Sequence, residues 1–123
     1  MAKFDEAAAL QDCLECISKL DPVDRKVAEQ VHAIVVHEAP ELLPRTWYSM
    51  PAYALPEGPN PGQKVVVFFQ AAGKFKTRYH TVGFSEHAKL DQGSMWPNAY
   101  ALSDLDASAE ATLRTLVRKA IGR

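Results

Sequence analysis

The sequence predicts an α+β domain: an antiparallel β-sheet meander with two N-terminal helices and a C-terminal helix packed mainly on one face. Three observations predict this class. Apolar residues recur with helical spacing at both ends of the chain, the middle is rich in aromatic and β-branched residues, and the connections between predicted strands are short. Because 123 residues suit a single hydrophobic core, one domain is expected over residues 1–123.

Two helices are predicted before the strands. Residues 4–20 carry an apolar stripe that includes Cys13 and Ile17. Asp21 and Pro22 are typical of the N-cap and first position of a second helix, which should run to about residue 39. The residues expected to be buried in this second helix share helical spacing: Val23, Val27, Val31, Ile34 and Val35.

The middle of the chain predicts four extended segments, at residues 45–55, 64–71, 76–84 and 100–102. Pro51 is expected at an edge or a bend, because proline cannot donate to a β-ladder. The run of prolines and glycines over residues 56–62 predicts a loop.

The segment over residues 76–84 alternates in character. Alternation in a strand would place Lys76, Arg78 and His80 on one face. A short helix is expected next, over residues 85–90. The C-terminal helix is expected to begin at Asp106 or Ser108 and to bury residues that share helical spacing: Leu113, Leu116, Val117, Ala120 and Ile121.

Composition restricts the classes of partner. Hydrophobic residues make up 47% and charged residues 24% of the chain, which is typical of a folded domain. A formal net charge of -1 gives no general attraction to nucleic acid or to an anionic membrane. The start of the chain lacks the apolar segment of a signal peptide, so a cytoplasmic location is expected, with neither nucleic acid nor membrane as a partner.

Two polar features of the helices call for interpretation. Cys13 and Cys16 have a spacing used by metal and redox sites, but they fall in mid-helix without further zinc ligands, so free thiols are expected. Glu38 falls within the apolar stripe of the second helix. Either the helix frays before Pro40, which is the favoured interpretation, or the carboxylate pairs with a cation; the candidates are Arg45, Lys76 and Arg78.

Aromatic and cationic residues together predict a binding cleft. Tryptophan and tyrosine line ligand pockets well because they combine an apolar body with a polar group. The expected wall is Trp47, Met50, Tyr53, Phe69 and Trp96, bordered by Lys76, Arg78 and His80. Arg78 would bind an anionic group with two hydrogen bonds, and His80 would donate another. No catalytic motif stands out, so a non-enzymatic domain that needs no cofactor is expected.

Several stretches resemble the YdhG-like family of bacterial domains. They are Trp-Tyr-Ser-Met-Pro-Ala-Tyr at 47–53, Val-Val-Val-Phe-Phe at 65–69, residues 74–84 and Met-Trp-Pro at 95–97. The resemblance covers about residues 13–123 and implies a compact α+β fold with an antiparallel sheet. Some family members are described as frataxin-like intracellular iron chaperones.

Three functions therefore stay open from sequence. The first is a domain that holds a small polar or anionic ligand in the aromatic cleft. The second, implied by the resemblance, is iron handling by the acidic side of the first helix, which carries Asp5, Glu6, Asp12 and Glu15. The third is an interaction module that forms a homodimer through an exposed aromatic patch.

Overall fold

The fold comprises four helices and five strands in a computed structural model that describes residues 4–123. In chain order they are α1 (Glu6–Ser18), α2 (Pro22–Glu38), β1 (Leu43–Trp47), β2 (Met50–Ala54), β3 (Val65–Gln70), α3 (Ala72–Phe75), β4 (His80–Phe84), β5 (Ala99–Leu102) and α4 (Ala107–Ala120). The strands form one antiparallel sheet in the order β1-β2-β3-β4-β5. The predicted α+β meander is confirmed.

Each long helix begins at an aspartate. The carboxylates of Asp5, Asp21 and Asp106 accept backbone N–H groups three residues ahead, at 2.9–3.0 Å. These bonds satisfy donors that the first turn of a helix leaves unpaired. The predicted caps of α2 and α4 are thus confirmed, with Asp106 rather than Ser108 as the cap of α4.

The predicted extended segment over residues 45–55 is a hairpin, because the chain reverses at Tyr48 and Ser49 between β1 and β2. Pro51 consequently lies in an interior strand, and its prediction at an edge or bend is wrong. The β2–β3 register begins only at Ala52, so Pro51 interrupts no paired position there.

The region after β3 also differs from expectation. A short helix, α3, lies between the extended segments predicted over residues 64–71 and 76–84, and β4 begins only at His80. Lys76 adopts the left-handed backbone conformation at φ 57°, which ends any extended run through it. The helix predicted over residues 85–90 is replaced by a short turn at residues 86–88, where the Ser85 hydroxyl accepts the His87 N–H.

The two faces of the sheet differ in what covers them. Side chains of α1, α2 and α4 pack with Tyr53, Phe69 and other strand residues into the main core. The opposite face carries a smaller buried cluster, Ala52, Ala54 and Val65, against which Trp47 and Phe68 pack. Val23 was expected in the core but is 72% exposed, because it lies at the start of α2, off the buried stripe.

Glu38 joins α2 to α4 by ion pairs. Its carboxylate accepts Arg114 Nη1 at 2.7 Å and Arg118 Nη1 at 2.6 Å, and its side chain is 10% exposed. Arg123 donates to the Glu38 carbonyl. The helix therefore stays intact to Glu38, and both the fraying prediction and the suggested partners Arg45, Lys76 and Arg78 are wrong. The hydrogen bonds from Arg118 and Arg114 lower the pKa of Glu38 to about 2.

Glu38→Gln is expected to lower the melting temperature at pH 7, and the deficit should shrink in acid. The folded pKa of Glu38 is depressed from 4.5 to about 2, so this stabilisation is complete above pH 4.5 and disappears as the pH falls towards 2. Melting curves of wild type, Glu38→Gln and the exposed control Glu29→Gln would measure it. A deficit that stays constant down to pH 2 would contradict the assigned ion pair.

Candidate functional site

The structure does not bring the eight predicted site residues into one cleft. Tyr53, Phe69 and His80 are buried on the face that the helices cover, with at most 4% exposure. Trp47 and Met50 are paired on the opposite face. Neighbouring residues of a strand face opposite sides of the sheet, and the aromatic wall is therefore split by the sheet itself.

The remaining three predicted residues lie at opposite ends of β4. Lys76 and Arg78 precede the strand in an exposed connection, where the Arg78 guanidinium lies 5.0 Å from the ring centroid of Tyr79. Trp96 follows the strand and borders a separate recess of about 430 Å³ together with Met95. Trp96 therefore does not join the predicted wall.

The side chains of His80 and Asp24 accept hydrogen bonds from the first N–H groups of the short helix α3. The Ala72 N–H donates to His80 Nδ1 at 2.9 Å, and the N–H groups of Gly73 and Lys74 donate to the Asp24 carboxylate at 3.2 and 3.0 Å. An imidazole that accepts at Nδ1 carries its proton on Nε2. His80 thus helps to fix the position of α3, and it is buried rather than at the border of an open cleft.

Gly73 is required at this cap because the backbone passes very close to the two aspartates. A Cβ atom there would lie 2.6 Å from Asp21 Oδ2 and 2.8 Å from Asp24 Oδ2. The same close approach lets the Asp24 carboxylate reach two N–H groups at once. The backbone position of Lys74 consequently depends on the buried side chains of Asp24 and His80.

Tyr53 and Cys13, like His80, are buried and belong to the core rather than to an open cleft. The Tyr53 hydroxyl bonds to His32 Nδ1 at 2.9 Å within the core. Burial raises the pKa of the Cys13 thiol to about 11 and the pKa of Tyr53 well above its usual value. Cys13 thus stays a protonated thiol at neutral pH, and both cysteines are free, as expected.

An aromatic patch, defined as Trp47, Tyr48 and Phe68, lies on the face of the sheet away from the helices. The ring centroid of Trp47 is 5.4 Å from that of Phe68 and 4.7 Å from that of Tyr48. The Phe68 ring lies directly over Gly83, its cross-strand partner, where any Cβ atom would overlap it. Glycine opposite an aromatic residue is the signal by which sequence reasoning could have found Phe68.

The turn that carries Tyr48 has an unusual backbone. Tyr48 and Ser49 have φ of 49° and 62°, the combination of a type I′ hairpin turn, which normally uses asparagine and glycine. Each non-glycine residue in this conformation costs on the order of 1 kcal/mol. The Ser49 carbonyl accepts Lys74 Nζ at 2.7 Å and the Cys16 thiol at 3.5 Å. The turn is thereby fastened to α1 and α3, and Tyr48 is left 77% exposed.

A cationic loop, defined as Lys74, Lys76 and Arg78, connects β3 to β4, and its first lysine reaches this turn. Residues 73–79 are all exposed and contain no acidic side chain. The bond from Lys74 to the Ser49 carbonyl joins the cationic loop to the turn. Neither Lys76 nor Arg78 has an ion-pair partner among residues 4–123. Exposed positive charge at Lys74 therefore adjoins the turn that presents the exposed Tyr48.

Comparison with known protein families, curated proteins and solved structures finds no match for this chain. The YdhG-like resemblance and the iron-handling function that it implies stay predictions. Over residues 4–123, no group of three or more His, Cys, Asp or Glu side chains is arranged to hold a metal ion. Within the same range, no helix combines the length and the apolar character that a membrane span requires.

Proposed function

We propose that this domain binds a small ligand with a flat aromatic part and an anionic group. The aromatic patch takes the flat part by stacking, and the cationic loop takes the anion. The binding surface is therefore the open face of the sheet near the β1–β2 turn, rather than the cleft expected from sequence.

One observation carries the proposal: the Lys74 ammonium holds the carbonyl of the turn that presents Tyr48. This hydrogen bond holds Lys74 of the cationic loop next to Tyr48 of the aromatic patch before a ligand arrives. A site that is already ordered loses less conformational entropy on binding. The left-handed conformations of Tyr48, Ser49 and Lys76 are consistent with this, since such conformations cluster at binding sites.

The chemistry of the ligand follows from the side chains. Stacking on an aromatic surface is worth about 1–3 kcal/mol per base and tolerates any flat ring. The Arg78 guanidinium is a planar fork that binds phosphate or carboxylate with two hydrogen bonds. Tyr79 lies beneath it, which leaves the donor edge of the guanidinium available.

Adenosine monophosphate is a suitable probe because it combines a base with a phosphate. We expect it to bind more tightly than adenosine or ribose 5-phosphate, each of which lacks one of the two parts. Titrations in a Trp96→Phe background would follow the fluorescence of Trp47, the remaining tryptophan.

Variants separate the two contributions. Arg78→Ala should weaken binding of the nucleotide about tenfold, as the loss of a charge-assisted hydrogen bond would, and should leave adenosine unaffected. Phe68→Ala should weaken nucleotide and nucleoside alike. The control Lys119→Ala removes an exposed cation from α4 and should change neither. Equal effects of Arg78→Ala and Lys119→Ala would mean that the nucleotide responds only to net charge, which contradicts the proposed site.

A further inference from the structure

The two edges of the sheet are protected to different degrees. β1 forms one edge, carries Pro44 and has α1 packed along it. β5 forms the other edge and reads Ala-Tyr-Ala-Leu, with no charge and no proline. Edge strands of monomers usually carry charged residues or proline, because an unprotected edge pairs readily with another strand.

The outward backbone groups of β5 can be assigned from the ladder. The Phe84 N–H donates to the carbonyl of Asn98, directly opposite, at 2.7 Å. Hydrogen-bonded pairs alternate along an antiparallel ladder, so Tyr100 and Leu102 also direct their backbone groups towards β4. Ala99 and Ala101 therefore direct their N–H and C=O groups away from the sheet, and both are exposed.

An apolar groove follows this edge on the helix-covered side. It encloses about 160 Å³, and its lining includes Tyr100, Leu105, Ala109 and Leu116. Two charged side chains of α4, Arg114 and Arg118, pair with Glu38 of α2. The α4 residues that line the groove are Ala109, Thr112, Leu113 and Leu116, and none of them is charged.

We propose that β5 pairs with β5 of a second copy of this chain, antiparallel across a two-fold axis. Ala99 would hydrogen-bond with Ala101 of the partner subunit and the reverse, which joins the two sheets into one. Tyr100 would meet the partner's Tyr100 on the axis, above the apolar groove of each copy.

Charge and symmetry favour a second copy as the occupant. A two-fold axis through Tyr100 opposes one uncharged strand with another, and Asp104, the first acidic residue after the strand, lies outside the paired region. No like charges meet there, and the outward N–H and C=O groups of each copy are complementary to those of the other. This is the pattern of an isologous interface.

Sedimentation velocity at about 100 µM tests the interface, since dimers form by mass action. We expect a dimer for wild type and a monomer for Ala101→Pro, which removes an outward N–H without breaking the β4–β5 ladder. Ala101→Ser keeps the N–H and should stay dimeric. If circular dichroism shows that Ala101→Pro is unfolded, Ala101→Lys replaces it, because an edge lysine opposes strand pairing.

A cross-link tests the register. In a non-hydrogen-bonded antiparallel pair the Cα atoms are about 4.5 Å apart, within reach of a disulfide. In a Cys16→Ser background, Tyr100→Cys should give a disulfide-linked dimer on a non-reducing gel, whereas Asn98→Cys should not. A wild-type monomer at this concentration, a dimer that survives both Ala101→Pro and Ala101→Lys, or equal cross-linking of the two cysteine variants would overturn the proposal.

Discussion

Phe69→Ala is expected to lower the free energy of unfolding by about 3–5 kcal/mol, the cost typical of removing a fully buried aromatic ring. Phe69 has no exposed surface and packs in the main core with residues of the helices and the sheet. Alanine would leave a cavity that surrounding strands cannot close without losing their register. Urea denaturation, compared at unchanged slope, would measure the loss.

Phe68→Ala is the matched variant for this prediction. Phe68 is the preceding residue of the same strand, but it lies half-buried on the open face over Gly83. We expect it to cost about 1–2 kcal/mol, because less apolar surface leaves water on folding, and to weaken binding of adenosine monophosphate. If Phe68→Ala destabilises the fold as much as Phe69→Ala, the assignment of the two rings to opposite faces is wrong.

Asp24→Ala is expected to lower the free energy of unfolding by about 3 kcal/mol. The carboxylate is 3% exposed and accepts the N–H groups of Gly73 and Lys74. A hydrogen bond to a charged group is worth about 1.5–3 kcal/mol, and its removal here leaves two donors of α3 without partners. Hydrogen exchange at the amides of Gly73 and Lys74 should accelerate as well.

Asp21→Ala provides the control for that experiment. Asp21 is an exposed helix cap of α2 only three residues away, and loss of such a cap costs about 1 kcal/mol. A cost for Asp24→Ala no greater than for Asp21→Ala would show that α3 does not depend on the buried carboxylate. Because α3 carries Lys74, Asp24→Ala should also weaken nucleotide binding.

The sequence predicts the three long helices and the meander order of the sheet, because capping aspartates and helical spacing are local signals, whereas it misses α3 and wrongly predicts a helix over residues 85–90. It fails to predict which face each strand residue occupies. The run over residues 65–69 is continuously apolar, so no alternation distinguishes Phe68 from Phe69. An irregularity in the β2–β3 register between Tyr53 and Ala54 shifts the pattern further.

The proposed site combines aromatic and cationic side chains, as the cleft expected from sequence does, but in a different place. Trp47, Lys76 and Arg78 are common to both, whereas Tyr48 is not among the residues expected from sequence, because Tyr-Ser is not a recognised hairpin turn and gives no sequence signal. The alternation from Lys76 to His80 suggested one strand, yet Lys76 has a positive φ and only His80 is in β4. Contacts distant in sequence, such as Lys74 with Ser49, determine this arrangement.

The most direct test is a ¹H–¹⁵N correlation spectrum recorded while adenosine monophosphate is added, because the two indole N–H signals report on two separate regions of the surface. We predict that the signal of Trp47 and the amides of Tyr48, Phe68 and the cationic loop shift with a common affinity, while the indole of Trp96 stays unchanged. Shifts confined to Trp96 and its recess, or no shift at Trp47 at saturating nucleotide, would contradict the binding of a flat anion on the open face of the sheet.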